Sequence, residues 1–187
     1  MTAEFHVLTA GYAHDRVAST VTLLTEGDTV AVVDPGMVAD RQLILGPLAG
    51  LGVAPQEVTD VIFSHHHPDH TLNAALFPEA RFHDHMAIYR NDVWEDREAD
   101  GYTISPSITL MATPGHTAED ISTLAATEQG LVVFTHLWWG ADGPADDPLA
   151  PDRDQLRAAR EKVLALNPTL IVPGHGAPFA PSPSTPL

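Results

Sequence analysis

Residues 58–70 read VTDVIFSHHHPDH, a β-branched apolar run that stops at Ser64 and releases four histidines and one aspartate within six residues. Valine, isoleucine and phenylalanine in sequence suit a buried strand, so His65 to His70 sit on the loop at its end. On extended backbone, side chains two apart point the same way. His65 and His67 can therefore reach one ion while His66 points elsewhere. Pro68 restricts the turn, and Asp69 and His70 can offer an oxygen and a nitrogen to a second ion about 3.5 to 4 Å away.

Two further histidines follow the same logic. His116 ends Thr113-Pro114-Gly115-His116 after an apolar strand, and His175 lies in Val172-Pro173-Gly174-His175-Gly176. A glycine before each histidine lets the backbone turn tightly at a sheet rim.

The rest of the chain fits this picture. FHVL (5–8) and STVTLLTE (19–26) read as strands, and Gly27-Asp28 suits a hairpin into TVAVVDPG (29–36). Helices are expected over 38–48, ended by Pro47, over 71–77, over 85–96 and over 151–166. Further strands are expected at 80–82, 102–104, 108–111, 121–126, 131–134 and 169–172. Strands first, then strand and helix in alternation, imply mixed sheets packed against helices, an α+β fold. A chain of 187 residues suits one domain, expected over 1–180, with APSPSTPL continuing into a disordered tail at 181–187.

Composition narrows the function. With 25 acidic and 9 basic residues the formal net charge is -16, which repels a polyanion, and no basic cluster offsets it, so nucleic acid is not an expected partner. The absence of cysteine rules out disulfides, thiolate metal sites and cysteine nucleophiles. No membrane association is expected either, because the opening MTAEFHVLTA lacks a basic segment leading into an apolar run and no stretch reaches membrane-spanning length. A cytoplasmic location is the expectation. No serine-nucleophile motif, phosphate loop or dinucleotide fingerprint competes with the histidines.

HHHPDH, TPGHT (113–117) and VPGHG (172–176), in this order and preceded by VVDPG (32–36), resemble the motifs of the metallo-β-lactamase superfamily of metal hydrolases. The likeness covers roughly residues 19 to 178. It implies a four-layer αββα sandwich with metal at one edge of the two sheets. It also implies that His65, His67 and His116 hold one ion and that Asp69, His70 and His175 hold the other. The family adds a bridging aspartate after a strand resembling LFTGD. Here that stretch is Val133-Phe134-Thr135-His136-Leu137-Trp138-Trp139, without aspartate. The bridging position falls on His136 or Leu137, or is filled by Asp142 from the next loop. Histidine can bind through nitrogen but cannot bridge with two oxygens, and leucine can do neither.

Nitrogen and carboxylate ligands suit one or two Zn²⁺ ions, with Fe or Mn as substitutes. Metal-activated water attacking a small ester, lactone, thioester or amide is the expected chemistry, with Asp69 orienting the water and His136 as the second catalytic candidate. The other expectation is a mononuclear metal-binding protein with weak or no hydrolase activity. One of Trp138 and Trp139 is expected at the substrate mouth and the other in the core. The pair also suits an interface in a homo-oligomer. Arg90, placed on a helix with Tyr89 and Trp94, is a candidate for a substrate carboxylate.

Overall fold

The computed structural model describes residues 2–187; Met1, the first residue of the expected domain, lies outside them. The strands are β1 (Glu4–Thr9), β2 (Tyr12–Ala13), β3 (Val17–Ala18), β4 (Val21–Glu26), β5 (Thr29–Val33), β6 (Asp60–Ile62), β7 (Arg81–His83), β8 (Ala87–Arg90), β9 (Val93–Asp96), β10 (Thr103–Ser105), β11 (Ile108–Ala112), β12 (Ile121–Thr127), β13 (Gly130–Thr135) and β14 (Leu170–Pro173). The α-helices are α1 (Gln42–Gly50), α2 (Pro68–Thr71) and α3 (Arg153–Ala165).

One sheet has seven strands in chain order apart from the small β2-β3 ribbon, β1-β4-β5-β6-β7-β8-β9; the other has five, β10-β11-β12-β13-β14. Leu24, Val33 and Ile62 from the first pack against Ile108, Leu110, Ile121, Val132, Phe134 and Val172 from the second. The outer face of the first sheet is covered by Ile44 and Leu48 of α1, one helical turn apart. α3 covers the second through Leu156, Ala159 and Val163 beside Val133, Leu137 and Ile171. These layers make the expected αββα sandwich, an α+β fold.

α3 starts where the sequence implies, because the Asp152 carboxylate accepts from the amides of Asp154 and Gln155. α1 is displaced from the expected span, and Pro47 lies inside it instead of ending it. The expected helix over 71–77 is instead the single turn α2 and a 3₁₀ turn, Ala74–Leu76. The largest correction concerns 85–96, a β-hairpin, β8-β9, in place of a helix. Its turn contains Asn91 at φ 55, a conformation that asparagine tolerates. Tyr89 and Trp94 are cross-strand partners with stacked rings 5.1 Å apart. Arg90 consequently points to Glu79, 2.7 Å away at the surface, and away from the histidine loop. Residues 181–187 run back past the 136–139 segment, where the Pro186 carbonyl accepts from Trp138 Nε1 at 2.8 Å.

The longest α-helix described, α3, has 13 residues, and none among the described residues is long and apolar enough to cross a membrane.

Candidate metal centre

Parallel pairing sets the position of the site. β5, β6 and β7 run parallel, as do β13 and β14, so the segments leaving β5, β6, β13 and β14 emerge at the same edge. Backbone hydrogen bonds tie the segments at this edge together, Thr20 N to Gly174 O at 2.7 Å and Ile121 N to Ser64 O at 2.8 Å across the two sheets, and Ser19 N to Asp69 O at 3.0 Å within the first.

The histidines meet there. His65 lies 4.6 Å from His67, 4.3 Å from His70 and 5.0 Å from His116, ring centre to ring centre, and His70 lies 5.3 Å from His175. His136 stands in the middle, 4.8 Å from His65, 4.6 Å from His70, 4.2 Å from His116 and 4.9 Å from His175. Nitrogens of His65, His116 and His136 lie close enough together for one ion, as do those of His70, His136 and His175, so His136 belongs to both groups. Asp69 Oδ2 is 3.5 Å from His70 Nε2 and 3.6 Å from His175 Nε2.

Of the alternatives for the bridging position, only His136 faces this cluster. Leu137 is fully buried with Trp138 and Leu156 against α3. Asp142 is exposed and lines a cleft of about 360 Å³ whose wall also includes Trp139, His175 and Tyr12. Trp138 is the core member of the tryptophan pair, and Trp139 lies at the cleft with its ring nearly parallel to His136.

The outer nitrogens are fixed by the protein. His70 Nδ1 donates to Asp34 Oδ2 at 2.8 Å, His116 Nδ1 to Asp147 Oδ2 at 2.7 Å, and His175 Nδ1 to the Ala18 carbonyl at 2.9 Å. His65 Nδ1 meets the Ser64 hydroxyl at 2.9 Å. A ring that donates through Nδ1 turns a bare lone pair inward on Nε2. Asp34 holds φ 49, the left-handed region, and also accepts from the Ser64 amide and hydroxyl, both at 2.8 Å. The DPG turn is thereby tied directly to the ligand loop.

This donor set fits a metal. His65 Nε2, His70 Nε2 and His136 Nδ1 are buried with no hydrogen-bond partner among the described residues. His116 Nε2, left as an acceptor because its other nitrogen donates to Asp147, has only His67 Nδ1 to accept from, at 3.1 Å. Buried acceptors converging without donors are unfavourable unless a cation lies among them.

Electrostatics point the same way. Burial, followed by the neighbouring imidazoles, holds His65 and His136 well below the ordinary histidine range, and burial also lowers His67 and His175. His70 is the exception: burial pulls it down, but the charge of Asp34 and its hydrogen bond outweigh that and raise it. Asp120, buried beneath His65, is pushed up to about 6.

A lowered folded pKa means that the unfolded chain binds more protons below about pH 6.5, so stability falls as pH drops through that value. At pH 5.5 the His65 and His136 rings, kept neutral in the fold, each cost about 1.4 kcal/mol relative to the unfolded chain, while His70 and Asp120, whose folded pKa values are raised, work in the opposite sense. Metal-stripped protein is expected to melt several degrees lower at pH 5.5 than at pH 7.5. An unchanged melting temperature would contradict the neutral cluster.

Asp147, Asp120 and Ser64 are positioning residues that the sequence does not single out. Asp120 could have been suspected from its place four residues after His116, in TPGHTAED. Asp147 lies in a loop with no motif, although it accepts from Trp139 Nε1 at 2.8 Å as well as from His116. Asp147→Asn is expected to weaken metal binding about 10- to 100-fold, as loss of a carboxylate behind a ligand histidine does. Competition with a chromophoric chelator would measure it, and a change under twofold would remove Asp147 from the site.

Comparison with known proteins identifies the family and the fold. The metallo-beta-lactamase superfamily model matches residues 14–106. Relatives named metallo-beta-lactamase domain-containing protein 1 are 34% identical in Xenopus laevis, covering 93% of this chain and 80% of that protein, and 36% identical in Homo sapiens, covering 79% and 58%. The match thus spans less than two thirds of the human relative. Among solved structures, a metallo-beta-lactamase family protein of Thermus thermophilus superposes with a TM-score of 0.71 at 17% identity, covering 94% of this chain and 74% of that one. An N-acyl homoserine lactone hydrolase, with N-hexanoyl-L-homoserine bound at its catalytic metal center, gives 0.68 at 19%, covering 93% and 92%. At these identities the superpositions speak for the fold, and the closer relatives for the lineage. The chain belongs to the metallo-beta-lactamase superfamily, with metallo-beta-lactamase domain-containing protein 1 among its relatives.

Proposed function

We propose that this protein is a metal-dependent hydrolase of a small ester, lactone, thioester or amide. The observation that carries the reading is the convergence of bare imidazole nitrogens around His136, next to a cleft large enough for a small molecule. His65, His67, His116 and His136 would hold one ion, and His70, His175 and Asp69 a second, with His136 within reach of either group. Zn²⁺ suits these donors, with Fe or Mn as substitutes. Such an ion supplies a hydroxide-like nucleophile near neutral pH and polarises the substrate carbonyl.

The protein's own groups supply the rest. Asp69, 3.5 and 3.6 Å from two ring nitrogens, is placed to orient the attacking water and accept its proton. Trp139 offers a flat apolar wall beside His175. Asp34, Asp147 and Ala18 hold the rings in place before substrate arrives, which removes reorganisation from the reaction. The solved lactone hydrolase of the same fold supports a lactone or related acyl compound as the first choice. A small-molecule partner, with neither nucleic acid nor membrane, accords with the net charge of -16. The cytoplasmic location and any homo-oligomer belong to the same reading.

One observation favours a second reading. An imidazole stands where a bridging carboxylate would be, and a neutral His136 ring has one bare nitrogen, enough for one side only. A mononuclear metal-binding protein with little hydrolysis would follow. Both readings are tested by reconstituting tag-free protein with zinc, iron or manganese, measuring metal per chain, and assaying esters, lactones, thioesters and amides with and without chelator. Chelator-sensitive turnover is expected. Metal-loaded protein that turns over nothing in the panel would sink the hydrolase, and content near one ion per chain would favour the second reading.

A further inference from the structure

His66, the histidine that the alternation turns away from the cluster, is not idle. Its Nε2 lies 3.2 Å from Asp84 Oδ2, just beyond the end of β7. Asp84 is almost fully buried, and its other oxygen is committed to the amides of Met86 at 2.8 Å and Ala87 at 2.7 Å. Oδ2 is therefore aimed outward at a fixed position. Next in sequence, His85 keeps Nδ1 buried with no hydrogen-bond partner among the described residues, and 3.8 Å from Glu119 Oε2. Glu119 Oε1 accepts from the His66 amide at 3.0 Å, so this carboxylate bridges the ligand loop and the turn after His116. Ligand atoms of His66, Asp84 and His85 all lie within 4.8 Å of one another.

We propose that His66, Asp84, His85 and Glu119 form a separate site for a divalent transition metal ion of the Zn²⁺ class, on the outer side of the ligand loop. Two imidazoles and two carboxylates neutralise a dication and match its preferred donors. Donor atoms on one tetrahedral Zn²⁺ lie about 3.3 Å apart. The His66–Asp84 pair, at 3.2 Å, already meets that spacing, His85 offers a nitrogen within 4.8 Å of both, and Glu119 Oε2 lies 3.8 Å from His85 Nδ1. The backbone beneath is braced, since Arg97 Nη1 donates to the Asp84 carbonyl at 3.2 Å and the Ala99 amide to the His85 carbonyl at 3.1 Å. An ion here clamps together the end of β7, the loop of His65 and His67, and the turn after His116. Its role is to stiffen the elements that carry the inner ligands, and it does not depend on whether the inner centre hydrolyses anything.

The test is Co²⁺ and Zn²⁺ titration of metal-stripped, tag-free full chain, with cobalt absorption and melting temperature as readouts. His66 and His85 side chains are 41% and 35% exposed, so His66→Gln and His85→Ala leave the core untouched. Each variant is expected to bind one equivalent fewer than wild type and to lose part of the metal-induced rise in melting temperature. Glu119→Gln should weaken that equivalent about tenfold. His116→Ala, which strikes the inner cluster, should leave it in place. Equal stoichiometry in wild type, His66→Gln and His85→Ala would overturn the proposal and leave a plain His66–Asp84 ion pair. Loss of the outer equivalent in His116→Ala alone would overturn it as well.

Discussion

Gly174→Ala is expected to dismantle the inner centre while leaving the sandwich folded. A methyl group there would lie 1.7 Å from His136 Nδ1, 2.5 Å from Cε1 and 2.7 Å from Cγ, well inside contact distance. The backbone cannot retreat easily, because the Gly174 amide donates to the Trp138 carbonyl at 3.0 Å and its carbonyl accepts from Thr20 at 2.7 Å. The His136 ring must therefore leave the position it shares between the two groups of nitrogens. Metal affinity is expected to fall by about 100-fold, the upper end of the range for disturbing ligand placement, with an overpacking cost of about 1–3 kcal/mol in stability. A double-mutant cycle isolates the cause. If the ring is what the methyl displaces, Gly174→Ala adds little once His136→Ala is present. Additive losses in the double variant would show that the glycine matters for some other reason.

The second large effect is expected at Arg160, a fully buried cation on α3. Its guanidinium donates to the carbonyls of Leu137 at 2.8 Å, Ala145 at 3.0 Å and Pro144 at 2.7 Å, and lies 5.6 Å from the Trp138 ring centre. One side chain thereby satisfies the loop that follows His136 and forms the cleft wall. Burial lowers its pKa, with Asp147 opposing. Arg160→Met fills most of the volume but strands three carbonyl oxygens, for a loss of about 3–5 kcal/mol at about 1–3 kcal/mol per unsatisfied group after partial rehydration. For a chain of this size that is a drop of about 10 °C in melting temperature. Arg160→Lys should recover only part of it, because an ammonium cannot reproduce the planar fork. A drop of less than about 3 °C in Arg160→Met would mean that water or local rearrangement replaces the guanidinium without difficulty.

Much of the fold and the centre can be read from local sequence. The runs at 21–26, 29–33, 121–127 and 130–135 are β-branched and apolar and form strands as expected. HHHPDH, TPGHT and VPGHG mark where chain leaves strands at the site edge. Alternation separates the inward His65 and His67 from the outward His66. What is hidden depends on partners distant in sequence. The 85–96 segment offers helix-compatible residues, and only the cross-strand pairing of Tyr89 with Trp94, and of β8 with β7, makes it sheet. Whether His136, Leu137 or Asp142 meets the cluster depends on one residue of register at the end of β13, which the pattern before it cannot set. Asp147 reaches His116 from a loop 31 residues away, a distance no spacing rule covers.

The order of the strands has a consequence for how the protein matures. The seven-stranded sheet is complete once residue 96 has been made, and β10 to β13 can assemble by adjacent antiparallel pairing by residue 135. β14 and His175 come last. They dock at the other end of the chain, with His175 bonded to Ala18 and Thr20 to Gly176, contacts 157 and 156 residues apart. Closing such separations is the slow step in assembling a chain. A growing chain therefore displays an incomplete ring of imidazoles until His175 has been made and docked. Tight capture of an ion follows that docking, so metal retention reports that β14 and His175 are seated against residues 18–20, which secondary structure alone would not reveal.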